Sequence, residues 1–441
     1  MIKLSDHFTY KRIIRFTLPS IIMLIFTSVY GIVDGFFVSN FVGKEEFTAV
    51  NFIMPFLMIL GGVGFMFGTG GSALIAKTLG EGNEKKANSV FSLIVYISII
   101  TGVLLTLLGN LLILPFTKFL GAAGVLLENC ILYGRIILAG VPFCILQFEF
   151  QALFITAEKP KLGLYSSIAA GVTNIVLDAL FIAVFGMGLI GAATATVLSQ
   201  VVGGIFPLVY FGRKNSSLLK LGRTGFDGAS ILKTVTNGSS ELMTNISMSV
   251  VSMLYNVQLL AYAGEDGVAA YGVLMYVSLI FNSIFIGYSV GSAPVISYNF
   301  GAKNSAEFKS LLKKSFVIIG VCSVAMLFAC QLLARPLSLL FVGYDQSLLS
   351  LTERAFFFYS FVFLFAGIAI FGSSFFTALN NGLISAVISF LRTLVFQIGA
   401  VLLFPLIWQI DGIWLSLVAA EIMAVAVTLI FLAANKKKYD Y

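Results

Sequence analysis

A series of long apolar segments is the feature that most constrains how this 441-residue chain folds. Several exceed the ~20 residues that a helix needs to cross a bilayer, and their apolar residues are continuous rather than alternating as in membrane β-strands. The sequence therefore predicts an all-α polytopic membrane protein with twelve transmembrane helices. The predicted spans lie at roughly residues 13–40, 47–77, 89–114, 127–157, 161–185, 190–211, 233–262, 268–298, 315–335, 352–380, 383–406 and 411–434.

Composition supports this class and argues against several others. The chain is 59% hydrophobic and 11% charged, with a mean hydropathy of +1.00, whereas a soluble protein of this size needs far more charge on its surface. The polar N-terminus has no cleavable signal pattern, so the first span is predicted to act as its own targeting signal. The only histidine, His7, lies outside the spans, which argues against a histidine-based metal site or catalytic triad within the membrane. The four cysteines lack metal-ligand spacing and are interpreted as small hydrophobes: Cys130, Cys144, Cys322 and Cys330.

The distribution of lysine and arginine predicts the orientation of the spans. If both termini are cytoplasmic, 21 of the 27 basic residues fall in cytoplasmic segments and only four in outer ones, the bias that is typical of membrane proteins. We therefore expect a multi-pass membrane protein with both termini cytoplasmic, and the net charge of +7 requires no nucleic-acid partner. The four outer basic residues are Lys44, Lys118, Arg335 and Arg354.

A weak internal repeat relates the two halves of the chain. Sliding the sequence by 221 residues without gaps aligns Gly43 with Gly264 and Pro115 with Pro336, and the segment 154–157 with 375–378. Because each half holds an even number of spans, both halves start on the same side of the membrane. This predicts two six-helix bundles related by a pseudo-two-fold axis along the membrane normal.

The repeat predicts an N-terminal lobe at residues 1–212, a flexible cytoplasmic linker at 213–232 and a C-terminal lobe at 233–441. Two lobes that rock around a central cavity suit alternating access. Duplication could instead serve only as a stable scaffold, as in some channels, but we favour a transporter.

Polar residues within the spans are the candidate functional groups. A charge in hydrocarbon costs several kcal/mol, so intramembrane carboxylates usually face a cavity or a partner. Asp34 lies in the first span, Asn174 and Asp178 share one face of the fifth at i,i+4 spacing, and Thr196 lies in the sixth. The alternative interpretations are a carboxylate at the outer rim for Asp34 and an interhelical hydrogen bond for the pair in the fifth span.

The repeat provides an internal control for these four residues. At the 221-residue offset they correspond to Tyr255, Val395, Gly399 and Leu417. Since the second half lacks the polar groups, the scaffold does not require them, and this favours a functional role.

Further polar or adaptable residues are candidates for a substrate cavity. Glu149 could instead lie against Arg135 or solvent, and a structural Glu421–Arg392 pair is also expected. Glu241 is expected near the cytoplasmic mouth. The cavity candidates are Gln147, Glu149, Gln151, Glu241, Asn245, Tyr255, Met275 and Asn282.

Several stretches resemble the multidrug and toxic compound extrusion (MATE) family of efflux transporters, in its bacterial branch. They are VDGFFVSNFVG at the end of the first span, GTGGSALIAKTLGEGN at the end of the second, NIVLD in the fifth and GYSVGSAPVISYNFGAKN at the end of the eighth. The resemblance implies a protein of a bacterial plasma (inner) membrane. The resemblance implies two six-helix lobes that form a V around a central cavity. It also implies export of cationic, lipophilic drugs and dyes in antiport with H⁺ or Na⁺.

The resemblance further implies a cation-coupling site in the N-terminal lobe at Asp34, Asn174, Asp178 and Thr196, with no prosthetic cofactor. These residues either exchange protons or bind Na⁺, and the sequence leaves both open. We expect small cationic substrates and membrane lipid as partners, and a functional monomer. The competing function is a flippase for a lipid-linked precursor of the same architecture. An enzyme is not expected, because no nucleophile–base or metal constellation is present in the sequence.

Overall fold

The computed structural model describes residues 2–441, apart from the side chain of Lys44, which lies outside the described set. Six helices form the N-terminal half, and their breaks coincide with the polar breaks of the sequence. They are α1 (Tyr10–Val42), α2 (Lys44–Gly80), α3 (Glu84–Phe119), α4 (Gly124–Thr156), α5 (Pro160–Val184) and α6 (Gly188–Gly212).

Six more spans form the C-terminal half, and the first two are continuous in hydrogen bonding. They are α7 (228–263), α8 (265–301), α9 (Ser305–Val342), α10 (the pair Gln346–Ser360 and Val362–Ala378), α11 (Gly382–Leu403) and α12 (Pro405–Tyr439). The two parts of α10 are bent by 46°. In residues 2–441, ten helices are long and apolar enough to span a membrane, and eleven if the bent pair counts as one.

Gly264 divides the longest helical run into α7 and α8. The run Gly228–Gly301 has 74 residues and would be about 110 Å long if straight, whereas the hydrocarbon core is only about 30 Å thick. Gly264 has φ 62° and ψ −152°, a conformation that residues with a side chain rarely adopt. With this break the described residues contain the twelve spans that the sequence predicts.

Side-chain caps at helix starts repeat between the two halves. Asn83 accepts a hydrogen bond from the Lys86 N–H at the start of α3, and Asn304 does the same for Glu307 at the start of α9. Asp227 caps α7 through the N–H groups of residues 229 and 230. Hydrogen bonds from Ser230 hold the pKa of Asp227 below its usual value. Such caps satisfy the unpaired N–H groups of the first helical turn.

The segment between the halves is shorter and better anchored than the flexible linker at 213–232 that the sequence predicts. Helix α7 begins at Gly228, so five of those residues are helical. The remainder lies along α3, where Asn88 bonds the Lys220 N–H and the Leu218 carbonyl, and Ser92 accepts from the Gly222 N–H. The sequence did not predict this contact with α3, because α3 bonds to backbone N–H and carbonyl groups of the segment. Every residue except proline carries both groups, whatever its side chain.

The two halves meet closely on the face that holds both chain ends and the 213–227 segment, called here the basic face. Added Cβ atoms at Gly70 and Gly238 would overlap the backbone of Thr234 and Met66 respectively, so α2 and α7 cross in backbone contact. Helix α8 crosses α2 in the same way, and Ser297 donates to the Ala73 carbonyl at 2.6 Å. Small residues allow such close crossing of membrane helices.

The segment before α1 also packs on the basic face and contacts both halves. Leu4 and Phe8 are fully buried. The Leu4 N–H donates to Glu158 after α4 at 2.6 Å, and the Phe8 N–H donates to Glu307 of α9 at 2.8 Å. His7 Nδ1 lies 2.6 Å from the other Glu307 oxygen. These contacts further close the basic face.

Candidate functional site

Asp34 and Asp178 lie where regular α-helix gives way to a π-helical turn. The turn Val38–Val42 follows Asp34 in α1, and the turn Ala179–Val184 directly follows Asp178 in α5. π-Helical turns often occur at functional sites, because the extra residue re-aims neighbouring side chains. Both glycines beside Asp34, Gly31 and Gly35, have no other atom within 4 Å of an added Cβ, so α1 has free space at this point.

The four residues predicted as a coupling site are brought together between α1, α5 and α6. The carboxyl group of Asp34 interacts with the side chains of Asp178, Asn174 and Thr196. Asn174 is 2% exposed and Asp178 0%, while Asp34 is partly exposed. The Thr196 hydroxyl donates to the Ala192 carbonyl at 3.1 Å, which leaves its oxygen lone pairs available to the cluster.

The polar atoms of this cluster lack satisfied hydrogen bonds. Asp34 Oδ1, Asn174 Nδ2 and both Asp178 carboxylate oxygens are buried without a hydrogen-bond partner in the structure. Buried carboxylate oxygens are costly unless a proton, a cation or a donor satisfies them. The cluster therefore has the chemistry of a site for a proton or for a small cation with oxygen ligands. Among residues 2–441, no group of three or more histidine, cysteine, aspartate or glutamate side chains is placed to hold a metal ion.

Tyr133 of α4 is a member of the cluster that the sequence did not single out. Its ring is buried, and its hydroxyl interacts with Thr196 and with the charges of Asp34 and Asp178. The sequence alone could not identify Tyr133 as a site residue, because aromatic residues are common in apolar spans and only its hydroxyl sets it apart from phenylalanine.

Tyr30 connects the cluster to α4, where Gln147 was predicted as a cavity residue. Tyr30 lies one turn before Asp34 and interacts with it and with the Gln147 side chain. Gln147 is buried against α6, where an added Cβ at Gly203 would meet its amide at 2.7 Å. Gln151, one turn further, is also buried, and neither of its amide atoms has a partner. Both glutamines thus lie inside the N-terminal half.

Glu149 is buried inside the N-terminal half. The two alternative interpretations, a contact with Arg135 and exposure to solvent, are therefore both wrong. Glu149 is 0% exposed, and neither carboxylate oxygen has a hydrogen-bond partner by geometry. The Ser98 hydroxyl of α3 lies near it and also lacks a hydrogen-bond partner by geometry. Arg135 is exposed fourteen residues earlier on the same helix, about 21 Å away along the axis. We therefore assign Glu149 to the interior of this half rather than to the cavity wall.

Three further predicted cavity residues belong to the packing of the C-terminal half. Tyr255 is fully buried, donates or accepts at 2.9 Å with Ser416, and stacks on Tyr271. Asn282 donates to the Ser278 hydroxyl at 2.9 Å, and its own carbonyl oxygen is buried without a partner. Met275 is partly buried against the same core.

Glu241 and Asn245 of α7 lie at the boundary between the two halves. Both are partly exposed, and the Asn245 amide donates to the Glu241 carbonyl. An added Cβ at Gly62 of α2 would meet Asn245 at 3.4 Å. Glu241 is about 20 Å along α7 from the basic end, since thirteen residues separate it from Gly228. It therefore lies deeper in the protein than the mouth position that the sequence suggested.

Arg392 and Glu421 form the predicted ion pair. Arg392 Nε lies 3.0 and 2.9 Å from the two oxygens of Glu421, and so connects α11 to α12. Arg392 lies in a π-helical turn, Leu391–Val395.

The two halves separate beyond these contacts, toward the face opposite the basic face. Helix α2 is largely buried from Gly61 to Leu79, whereas residues nearer its start, such as Met58, are exposed. Helix α7 likewise becomes exposed toward the face opposite the basic face, at Met253 and Val257. The halves therefore form a V whose open end lies on the side of Asp34.

Comparison with known proteins gives two consistent results. The MatE family model matches the chain twice, at residues 19–180 and 242–403, so the two matches start 223 residues apart. The chain is 26% identical over 435 residues to the multidrug export protein MepA of Staphylococcus saprophyticus, and the match covers 96% of this chain and 93% of that protein.

Solved structures share the fold. MATE in complex with MaL6 superposes with a TM-score of 0.93 at 22% sequence identity, and the match covers 98% of both chains. The outward-facing conformation of a multidrug resistance MATE family transporter of the MOP superfamily superposes with a TM-score of 0.92 at 23% identity, over 98% of this chain and 97% of that one.

Proposed function

The chain belongs to the MatE family, and on this premise we propose that it exports small cationic, lipophilic compounds in antiport with H⁺ or Na⁺. The family match covers both halves, and the relative with near full-length coverage is a multidrug export protein. The observation that carries the coupling proposal is the cluster of unpartnered buried oxygens at Asp34 and Asp178. The basic face is cytoplasmic in this proposal, as the lysine and arginine bias favours, and the V is then open to the outside.

The mechanism follows from the charges of the cluster. Two carboxylates close together in a poorly solvated site repel each other, so one proton or one Na⁺ binds favourably between them. Asp34 and Asp178 supply charged oxygens, and Asn174 and Thr196 supply neutral ones. Neutralising the cluster removes the attraction that α1 exerts on a cationic substrate.

The movement of α1 links ion binding to substrate release. Gly31 and Gly35 give α1 room to bend beside Asp34, and the π-helical turn after Asp34 is a second point of local adjustment. When the outer ion binds, the substrate leaves on the outer side. The lobes then rock, the cytoplasmic side opens and the ion dissociates there.

A cation exporter is favoured over a flippase for an anionic lipid-linked precursor. The charged residues within the spans are mostly carboxylates, namely Asp34, Glu149, Asp178, Glu241 and Glu421, against two arginines, Arg135 and Arg392. Anionic headgroups require a basic cavity, whereas Arg392 is already paired with Glu421 and Arg135 is exposed on α4.

Transport in proteoliposomes tests the proposed function. The purified protein is reconstituted, a pH or Na⁺ gradient is imposed, and movement of ethidium is followed by fluorescence. We expect Asp34→Asn and Asp178→Asn to abolish gradient-driven transport while the variants elute and unfold like the parent. Asp266→Asn, at an exposed position after Gly264, is the matched control and should transport normally. Full transport by both site variants would exclude the coupling site, and the gradient that drives wild-type transport identifies the ion.

A further inference from the structure

A groove of about 530 Å³ opens on the basic face, beside the start of α9. Five of its six lining residues belong to α9, and the sixth, Tyr441, follows the end of α12. The five residues of α9 have the i, i+3, i+4 spacing of one helix face. They are Lys309, Leu312, Lys313, Phe316 and Val317. The groove is therefore a feature of the C-terminal half alone, separate from the coupling cluster of the N-terminal half.

This face of α9 changes from charged to apolar where the helix enters the membrane. Residues 315–334 contain no charged side chain, and at 1.5 Å per residue they span about 30 Å, the thickness of the hydrocarbon core. Lys309 and Lys313 precede this stretch, whereas Phe316 and Val317 lie in its first turn. Exposed apolar residues continue along the same face for three more turns: Val321, Val324 and Phe328. The groove thus extends from the level of the lipid headgroups into the acyl region.

The two lysines give the groove an excess of positive charge. Lys309 Nζ pairs with Asp440 at 2.8 Å, and both side chains are exposed. Lys313 is exposed and forms no hydrogen bond or ion pair with any residue of 2–441. Since an exposed ion pair such as Lys309–Asp440 contributes little, both ammonium groups are available to an anion at the membrane surface.

The corresponding face of α3, in the N-terminal half, is covered by protein. The residues of α3 that correspond to Lys309, Lys313 and Val317 at the 221-residue offset are Asn88, Ser92 and Tyr96. All three form hydrogen bonds with the backbone of residues 218–222. In the C-terminal half, lysines replace the two neutral residues on a face that Tyr441 covers only in part. An occupant that covers this face has to present negative charge rather than peptide groups.

We propose that the groove binds a membrane phospholipid whose headgroup has a net negative charge, such as phosphatidylglycerol. Lys309 and Lys313 bind its phosphate, and an acyl chain lies along Phe316 and Val317. Basic pockets at the edge of the membrane bind anionic headgroups in this way. A zwitterionic phospholipid carries a cation beside its phosphate, which the lysines repel. This lipid site goes beyond the proposed export function and does not depend on it.

Native mass spectrometry of the purified full-length chain tests the proposal directly. The protein in detergent is titrated with phosphatidylglycerol, or with phosphatidylcholine that has the same acyl chains, and the fraction carrying one bound lipid gives each affinity. We expect phosphatidylglycerol to bind several-fold more tightly. Equal affinities for the two lipids would overturn the proposal.

Paired lysine variants separate the groove from the general positive charge of the basic face. Lys309→Gln with Lys313→Gln should weaken phosphatidylglycerol binding about tenfold and leave phosphatidylcholine binding unchanged. The matched control, Lys85→Gln with Lys86→Gln, removes two exposed lysines at the start of α3 and should keep the preference of the parent protein. Lys309→Arg with Lys313→Arg keeps both charges and should bind as the parent protein does.

Three further results would contradict a lipid site in this groove. They are an unchanged preference in the Lys309/Lys313 glutamine variant, an equal loss in the control pair, and displacement of the lipid by equimolar sn-glycerol 3-phosphate, since the groove would then bind a free anion. If the double glutamine variant does not fold, Lys313→Gln decides, because it breaks no contact within the protein: binding should weaken about threefold, and unchanged binding overturns the proposal. None of these measurements involves transport, so their failure is distinguishable from failure of the export proposal.

Discussion

Gly238 of α7 faces Met66 of α2 so closely that a methyl group at Gly238 would overlap the Met66 carbonyl oxygen. The same relationship holds between Gly70 and Thr234, and between Gly301 and Lys77. These crossings close the basic face. They are possible because glycine has a hydrogen atom where every other residue has a side chain. The closed state of this face is therefore sensitive to single methyl groups.

Gly238→Ala should weaken closure of the basic face. The added methyl group would meet the Met66 backbone, which cannot move aside as a flexible side chain can. Helices α2 and α7 must therefore separate, which destabilises the closed state by about 1–3 kcal/mol. Spin labels on the two halves at the basic face should show a longer distance. Gly272→Ala is the control, since an added Cβ there has no atom within 4 Å. Equal distances in the two variants would contradict this account of closure.

Tyr133→Phe should weaken binding of the coupling ion. The substitution removes only the hydroxyl that interacts with Thr196 and the two carboxylates, and loss of one hydrogen-bonding group corresponds to about a five- to tenfold change in affinity. The half-saturating ion concentration for transport measures it. Tyr288→Phe, which removes the 2.8 Å bond to Ser315 in the other half, should change stability without changing that concentration. A shift of equal size in both variants would argue against a role for Tyr133 at the site.

Glu149→Gln should fold and transport within about twofold of the parent protein. A buried carboxylate with no partner at either oxygen is far more stable when neutral, and glutamine is a neutral side chain of the same shape. Glu149→Ala should lower the unfolding free energy by about 1–3 kcal/mol, because it leaves a cavity. Thermal unfolding and dye transport measure the two effects. Loss of transport in the glutamine variant, as in Asp34→Asn, would instead make Glu149 a carrier of the coupling ion.

Glu307→Gln should loosen the segment before α1. Glu307 accepts from the Phe8 N–H and from His7, and weakening such charge-assisted bonds corresponds to about 1–2 kcal/mol. Amide hydrogen exchange over residues 4–8 should be roughly tenfold faster. Glu353→Gln, at an exposed ion pair with Arg335, should leave that exchange unchanged. Unaltered protection in Glu307→Gln would show that burial of Leu4 and Phe8 alone holds the segment.

The coupling-site candidates were predictable because a charge within hydrocarbon is itself a signal. Asp34 and Asp178 stand out against apolar neighbours, and the second half of the repeat lacks them. The Arg392–Glu421 pair was predictable for the same reason, since opposite charges in adjacent spans stabilise each other.

Other features depend on tertiary contacts that leave little trace in the sequence. Tyr133 resembles any other aromatic residue of an apolar span until the fold places it, buried, next to the coupling cluster. The docking of the 213–227 segment relies on Asn88 bonding backbone groups, which any residues could present. The repeat did align Gly43 with Gly264, and both have positive φ at the end of a span, so this turn chemistry was visible before the fold was known.

The glycine crossings at the basic face bear on how fast the protein can cycle. A barrier closed by interdigitating side chains must undo many rotamer contacts before it opens, whereas helices that touch through backbone can part as rigid rods. At these crossings little side-chain surface has to be rehydrated when α2 parts from α7 and α8, although the buried side chains of Leu4 and Phe8 add contacts of their own to the closed face. The same thin barrier keeps ions out while shut, because two backbones in contact leave no gap for water. In the proposed cycle, the same glycine crossings thus serve both to seal the basic face and to let it open.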